Sequence, residues 1–254
     1  MKAKYLLIVG VALSLSGCAS MVNKVDADSV ASVKTVAIVG LTYDQENAHL
    51  GTAILDTMMG KNESMGGLGK SVGEIEAKAH TAQALKTSEA ALKARKGWKV
   101  LDTAVVAKNP VVQRMYDKKK ATVQMGIAPL KPNFYRYEAK GIPQFYNLQF
   151  EDKALLNAMA KDLGVDALVL VNASTHIAQT RIMGIGVGTK GTVSDIAFFL
   201  YDPKKSDFTV VMNTSGEKIK ETRNQLDGFT DGDPFNLQAL EAYQSAFNKA
   251  VEAI

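Results

Sequence analysis

Apolar and polar positions recur along this chain with two distinct periods, and each period predicts its own elements. Val33 to Leu41 (Val-Lys-Thr-Val-Ala-Ile-Val-Gly-Leu) is short and β-branched, the pattern of a buried strand. The signal weakens over residues 45–73. A short helix is expected around His49 to Met59, then Gly60 and a Met- and Gly-rich loop through Gly73. From Glu74 to Lys96 the apolar positions Ile75, Ala79, Ala82, Leu85 and Leu92 recur at helical spacing, and Gly97 follows as a stop. Trp98 to Ala107 reads as a second strand. Asn109-Pro110 is an N-cap and first-turn pair, opening a helix that ends near Lys118-Lys119-Lys120. Three lysines in a last turn suit a solvated helix C-terminus.

Residues 129–150 break both periods. They hold Pro129, Pro132 and Pro143 and six aromatic side chains of the eighteen in the chain: Phe134, Tyr135, Tyr137, Phe145, Tyr146 and Phe150. Glu151 to Leu163 is helical again, with Leu155, Leu156, Met159 and Leu163 on one face and Gly164 as the stop. Asp166 to Thr180 is the strongest strand: it begins apolar on both faces and ends with one polar face. Gly184, Gly186, Gly188 and Gly191 predict a flexible turn into a strand at Thr192 to Tyr201, and Phe208 to Ser215 is a third run. Asp233-Pro234 caps a last helix whose stripe is Leu237, Leu240, Tyr243, Phe247, Val251 and Ile254. The order β-α-β-α-α-β-β-β-α, without an internal repeat, predicts one α+β domain over residues 33–254. Its expected core is a mixed sheet ending in an antiparallel three-strand meander, flanked by helices.

Composition narrows the class. Apolar residues at 46% and charged residues at 22% exclude a disordered chain, and one cysteine in 254 residues excludes an internal disulfide framework. That cysteine stands in an informative place. Met-Lys-Ala-Lys precedes an apolar run from Tyr5 to Leu15, too short to span a bilayer, and small residues follow. Leu15-Ser16-Gly17-Cys18 resembles the bacterial lipoprotein box, in which the cysteine thiolate accepts diacylglycerol and becomes the first mature residue. The resemblance implies a leader at 1–17, lipidation at Cys18 and a polar tether over 18–32. Ala19, rather than Asp, implies an outer-membrane, periplasm-facing location. Loss of the leader removes Lys2 and Lys4 and lowers the formal charge from +4 to +2, so no nucleic-acid partner is expected.

Three strings carry a wider resemblance: Val36-Ala37-Ile38-Val39-Gly40-Leu41, Gly97-Trp98-Lys99-Val100-Leu101-Asp102, and Leu163-Gly164-Val165-Asp166-Ala167-Leu168-Val169-Leu170. In this order the domain resembles the periplasmic lipoproteins related to the curli secretion lipoprotein, the outer-membrane activator of penicillin-binding proteins and the N-terminal domain of TolB. Members of that group dock, secrete or activate, which implies a non-enzymatic role with no cofactor. The stretches 58–73 and 129–150 depart from the group.

Candidate chemistry is sparse. His49, His80 and His176 are far apart and none has a ligand partner at helical spacing, so no metal site is expected. His176 and Asp195 can meet across a hairpin with Ser174 on the same face, the residue types of an acyl-transfer triad, though a solvated sheet face carries the same residues. Met183-Gly184-Ile185-Gly186-Val187-Gly188 lacks the spacing and following helix of a nucleotide loop. Asp227, Asp231 and Asp233 lack the bidentate Glu of a calcium loop and suit turns and capping instead. The expected partner-binding residues are Phe134, Tyr135, Tyr137, Phe145 and Tyr146, since tyrosine-rich exposed segments anchor interfaces. The sequence thus predicts a lipid-anchored docking protein serving an envelope assembly, secretion or activation machine, either alone or as a homo-oligomer. A lipid-anchored hydrolase is the second reading. A pore-forming secretion lipoprotein is the third, with residues 142–150 alternating weakly and 58–73 not at all.

Overall fold

The computed structural model describes residues 23–46, 63–95, 97–115, 134–137, 139, 141–143, 152–182, 185–220 and 234–254. Eight strands form one mixed sheet: β1 (Lys24–Val25), β2 (Thr35–Glu46), β3 (Lys99–Val100), β4 (Phe134–Tyr137), β5 (Ala167–Ile182), β6 (Ile185–Asp202), β7 (Asp207–Ser215) and β8 (Ile219–Lys220). The main path is β1-β7-β6-β5-β2-β3, with β4 added to β2 and β8 to β6. β2 is parallel to both β5 and β3, while β5, β6 and β7 are the antiparallel meander. The α+β class and the meander are as the sequence predicts.

β2 lies between parallel neighbours and its run Val36 to Leu41 is buried on both faces, which is why it reads as unbroken apolar sequence. One extra residue bulges between Ile38 and Gly40, where Leu41 N–H donates to Pro143 O at 3.0 Å. β5 shows the change of environment that its sequence implies. Ala167 to Val171 are buried in succession; beyond them Ala173 and Thr175 stay buried, whereas Asn172, Ser174 and His176 are part-exposed.

Helices cover both faces. On one side α2 (Glu63–Ala94) and α6 (Pro234–Glu252) pack together, and Tyr243 of α6 meets Tyr43 of β2 edge-on at 5.5 Å. Phe247 meets Phe198 of β6 at 5.9 Å. The buried face of α6 is Ala239, Ala242, Tyr243, Ala246, Phe247, Ala250 and Val251, so small residues bring the helix close to the sheet. Leu240, expected in that stripe, is half-exposed at its margin. At Gly216 a Cβ would lie 2.7 Å from Ala242 O.

On the other side α5 (Lys153–Leu163) is capped by Asp152, which accepts from Leu155 N–H, and stopped by Gly164 in the left-handed region at φ 64°. Tyr201 OH donates to Asn157 Oδ1 at 2.9 Å and fixes α5 on β6. Asp166 Oδ2 then accepts from the Lys34 and Thr35 N–H groups, tying the start of β5 to the start of β2.

Four expectations are corrected. Residues 63–73 form the first turns of α2 rather than a loop. Each glycine there costs roughly 1 kcal/mol, but no proline interrupts, and propagation from the strong helix formers that follow is cooperative. The strand expected over 98–107 is only β3. Asp102 accepts from Ala104 N–H and starts the short helix α3 (Thr103–Val106), so capping overrides the β-branched pair Val105-Val106. Asn109 does cap the next helix, α4, which runs over 110–115, its Oδ1 accepting from Val111 and Val112 N–H. The glycines at 186, 188 and 191 lie within β6, which pairs back to Ile182↔Ile185, so they sit in a strand and not in a turn. Residues 24–32, placed by sequence in the tether, are β1 and the helix α1 (Ala27–Ser32), with Ser29 and Val30 buried. Residues 49–59 and 118–120 lie outside the described residues.

Candidate functional site

The register of the sheet gathers a polar patch on the face that α5 covers only at its other end. One row runs Asp44, Ser174, Asp195, Ser215 across four strands; the row behind it runs Thr42, Asn172, Ala197, Asn213. Asn172, Ser174, Asp195, Ala197, Asn213 and Ser215 border an open depression of about 330 Å³. Asp195 is 51% exposed at its side chain and His176 33%. Short side chains in an extended register make a flat, hydrogen-bonding surface.

Within it, Ser215 Oγ donates to Asp195 Oδ1 at 2.5 Å, and His176 Nδ1 stands 3.7 Å from Asp195 Oδ2. Sequence reasoning therefore places His176 and Asp195 together correctly. The directly opposed partner of Asp195 is Ser174, however, while His176 opposes Val193. A triad works through a chain of hydrogen bonds from nucleophile to imidazole to carboxylate. Among the described residues no hydrogen bond joins Ser174 to His176, and the His176–Asp195 separation exceeds hydrogen-bond reach. Behind the patch the opposite face is sealed by a buried polar relay. Thr175 Oγ1 donates to Ser194 Oγ at 3.0 Å, Tyr243 OH and Ser88 Oγ share a hydrogen at 2.6 Å, and burial pushes the Tyr43 phenol up to about 12.

Of the expected partner-binding residues, Phe134, Tyr135 and Tyr137 lie in β4. The register Tyr43↔Tyr137, Asp44↔Arg136, Gln45↔Tyr135 and Glu46↔Phe134 sets them at the sheet edge beside Asp44. Just after them Ala139 and Ile142 are buried in the core. Phe145, Tyr146, Cys18, His49, Met183-Gly184 and the aspartates 227, 231 and 233 lie outside the described residues. Among the described residues no group of three His, Cys, Asp or Glu side chains could hold a metal.

An ionic clasp at the opposite end of the sheet was not legible in the sequence. Lys24 and Lys153 both pair with Asp207, at 3.3 and 3.0 Å, and Lys205 pairs with Asp26 at 2.6 Å. The Lys205 hydrogen bond, then those from Ser29, hold the Asp26 carboxyl down at about 2. The local signal was Asp26-x-x-Ser29, a helix cap; the partners stand about 180 residues away and only the β1–β7 pairing brings them near. This clasp fastens the first described residues to the meander.

Compared with known proteins, the chain matches no family model and no curated protein. Among solved structures it is similar to the hypothetical protein CT253 of Chlamydia trachomatis, with 10% identity, a TM-score of 0.36, and 87% of this chain and 96% of that one covered. It is similar also to the lipoprotein GNA1162 of Neisseria meningitidis, with 10% identity, a TM-score of 0.30, and 76% and 87% covered. At these TM-scores neither likeness assigns a family or a function. Among the described residues no helix is long and apolar enough to cross a membrane.

Proposed function

We propose that this chain is a periplasm-facing outer-membrane lipoprotein, anchored through lipidated Cys18, whose α+β domain docks onto an envelope assembly, secretion or activation machine. The observation that carries the reading is the Leu15-Ser16-Gly17-Cys18 box, with the first described residue of the domain, Asn23, five residues later. A five-residue link reaches at most about 18 Å, so the clasped β1 and α1 hold the domain against the surface bearing the acyl chains. Partner binding is assigned to Phe134, Tyr135, Tyr137, Phe145 and Tyr146, the first three on an edge strand beside the polar row. The domain acts by contact and uses no cofactor.

The test is labelling with an acyl-chain probe. The native chain takes the label and fractionates with the outer membrane, and Cys18→Ala abolishes both. Label retained in Cys18→Ala contradicts the reading. The closeness of His176 to Asp195 keeps a lipid-anchored hydrolase as the second reading. His176→Ala separates the two: a docking protein keeps its envelope phenotype, whereas a hydrolase loses it.

A further inference from the structure

The first described residues are fastened less firmly than the sheet they join. Among the described residues β1 pairs with β7 at Lys24↔Val211 and Val25↔Val210, and Asp26 N–H adds a bond to Thr209 O at 2.8 Å. α1 follows with Ser29 and Val30 buried and Val33 behind them, while Val25 stays exposed. The rest of the attachment is polar. Asn213 N–H donates to Asn23 Oδ1 and Lys24 Nζ to Phe208 O, both at 2.8 Å. Lys24 and Lys153 share the Asp207 carboxylate, and Lys205 pairs with Asp26. All five ionic side chains are part-exposed, where such pairs are screened by salt and hold weakly one by one.

At Lys34 the attachment changes character. Asp166 Oδ2 accepts from both the Lys34 and Thr35 N–H groups, and from Val36 onward β2 is buried between parallel neighbours. Residues 23–33 are thus a strap laid on the sheet, and Lys34 is where the chain becomes fixed. The turn between β6 and β7 forms the catch. Among the described residues Ser206 is the one non-glycine with positive φ, at 49°. Asn157 Nδ2 donates to Ser206 Oγ at 2.8 Å and holds the turn there. On one side of Ser206, Lys205 reaches Asp26; on the other, Asp207 reaches Lys24 and Lys153. A left-handed serine is sparsely populated and persists where its surroundings over-determine it, as at clamps and switches.

We infer that residues 23–33 are a releasable strap that sets how far the domain reaches from its membrane anchor. The inference rests on the anchor reading above. Latched, the five-residue link from Cys18 to Asn23 spans at most about 18 Å; released as far as Lys34, sixteen residues span at most about 58 Å. The sheet survives the release, because the Asp166 bonds and the two-sided burial of β2 lie beyond the strap. Val30 and Val33 are the apolar side chains that lose burial, and a segment with so few buried contacts opens well below global unfolding. Tension between the seated anchor and a docked partner opens the catch.

The test reverses the catch with Lys205→Glu and Asp207→Lys, which sets like charges against Asp26, Lys24 and Lys153 and leaves the net charge unchanged. The lipidated chain carries a donor fluorophore at Lys108→Cys, an exposed position outside the strap, and sits in neutral phosphatidylcholine vesicles with a headgroup acceptor. Energy transfer is expected to fall roughly twofold in the reversed chain, as the r.m.s. length of the link grows from about 12 to about 22 Å. A lock decides whether the strap is the moving part. Asp26 N–H bonds Thr209 O, so the neighbouring opposed pair Val25/Val210 is the closer, non-hydrogen-bonded kind and suits a disulfide. Val25→Cys with Val210→Cys, oxidised before labelling, is expected to restore native transfer to the reversed chain, and a reductant to abolish it again. A reversed chain that floats with the vesicles and keeps native transfer overturns the strap and leaves the anchor standing. A fall that the lock does not restore, or one accompanied by loss of amide protection at Leu168–Leu170, overturns it as well. A native chain that fails to float overturns both readings.

Discussion

β5 and β6 are one pair of strands in two environments. Over Ala167–Val171 and Phe198–Tyr201 every residue is buried, between helices on both faces and strands on both edges. Beyond Thr175 the same strands continue as an arm that, among the described residues, pairs only with itself and, at Gly191 and Thr192, with β8. Their sequence changes at that point: the first stretch is Leu, Val and Phe, the second mixes Gly, Thr and isolated Ile with two cations. The lesson is that strand length and strand burial are separate quantities. A long strand can be fully buried along one part and part-exposed along the next, with the Ser174–Asp195 row as the border.

The sharpest break in this comparison comes from truncating each part. Phe247→Ala removes a ring seated on Phe198 and Tyr243 and is expected to cost about 3–5 kcal/mol in denaturant unfolding. His176→Ala at the base of the arm, where the side chain is part-exposed, is expected to stay within about 0.5 kcal/mol. Equal losses would show the arm to be core. Leu240→Ala, at the half-exposed margin of α6, is expected to fall between them.

Next comes Gly216→Ala, which places a Cβ 2.7 Å from Ala242 O and 3.0 Å from Ala246 N. Both are backbone atoms of α6, so relief requires the helix to move. A loss of about 1–3 kcal/mol is expected, and an unchanged unfolding midpoint would mean that α6 sits further from the sheet. Tyr243→Phe is expected to cost about 1 kcal/mol, because Ser88 keeps its hydrogen bond to Ala84 O. A larger loss would mark the buried relay as cooperative.

How much of this was legible in the sequence divides along the same border. β2, α5 with its Asp152 and Gly164 caps, the buried part of β5, and β7 all announce themselves, because each is specified by its own residues. β6 was truncated at Thr192 by its glycines, since pairing with β5, a long-range fact, holds them extended. Among the described side chains of α2 the buried ones are Thr81, Ala84, Leu85, Ser88 and Leu92, whereas Ala79 and Ala82 are exposed. Hydrophobicity misphased that helix because two of its core contacts are hydroxyls. The His176–Asp195 proximity was readable from alternation alone. That Ser174, not His176, stands directly opposite Asp195 required the register.

The smallest effect is expected at the clasp, the end away from the arm. The Asp26 carboxyl is depressed in the folded protein to about 2 from 3.8, so its contribution is fully present above about pH 4 and is lost as pH falls through 2. Asp26→Asn should therefore lower the melting temperature slightly at neutral pH, with the gap to the native protein closing in acid. A gap that stays constant down to pH 2 would show that the charge of Asp26 does no work there.

Amide hydrogen exchange along the single hairpin tests the two-environment account most directly. In solution Ala167–Val171 and Phe198–Tyr201 should exchange as slowly as global unfolding allows, whereas Ile177–Ile182 should exchange faster. An arm as slow as the buried stretches would contradict it.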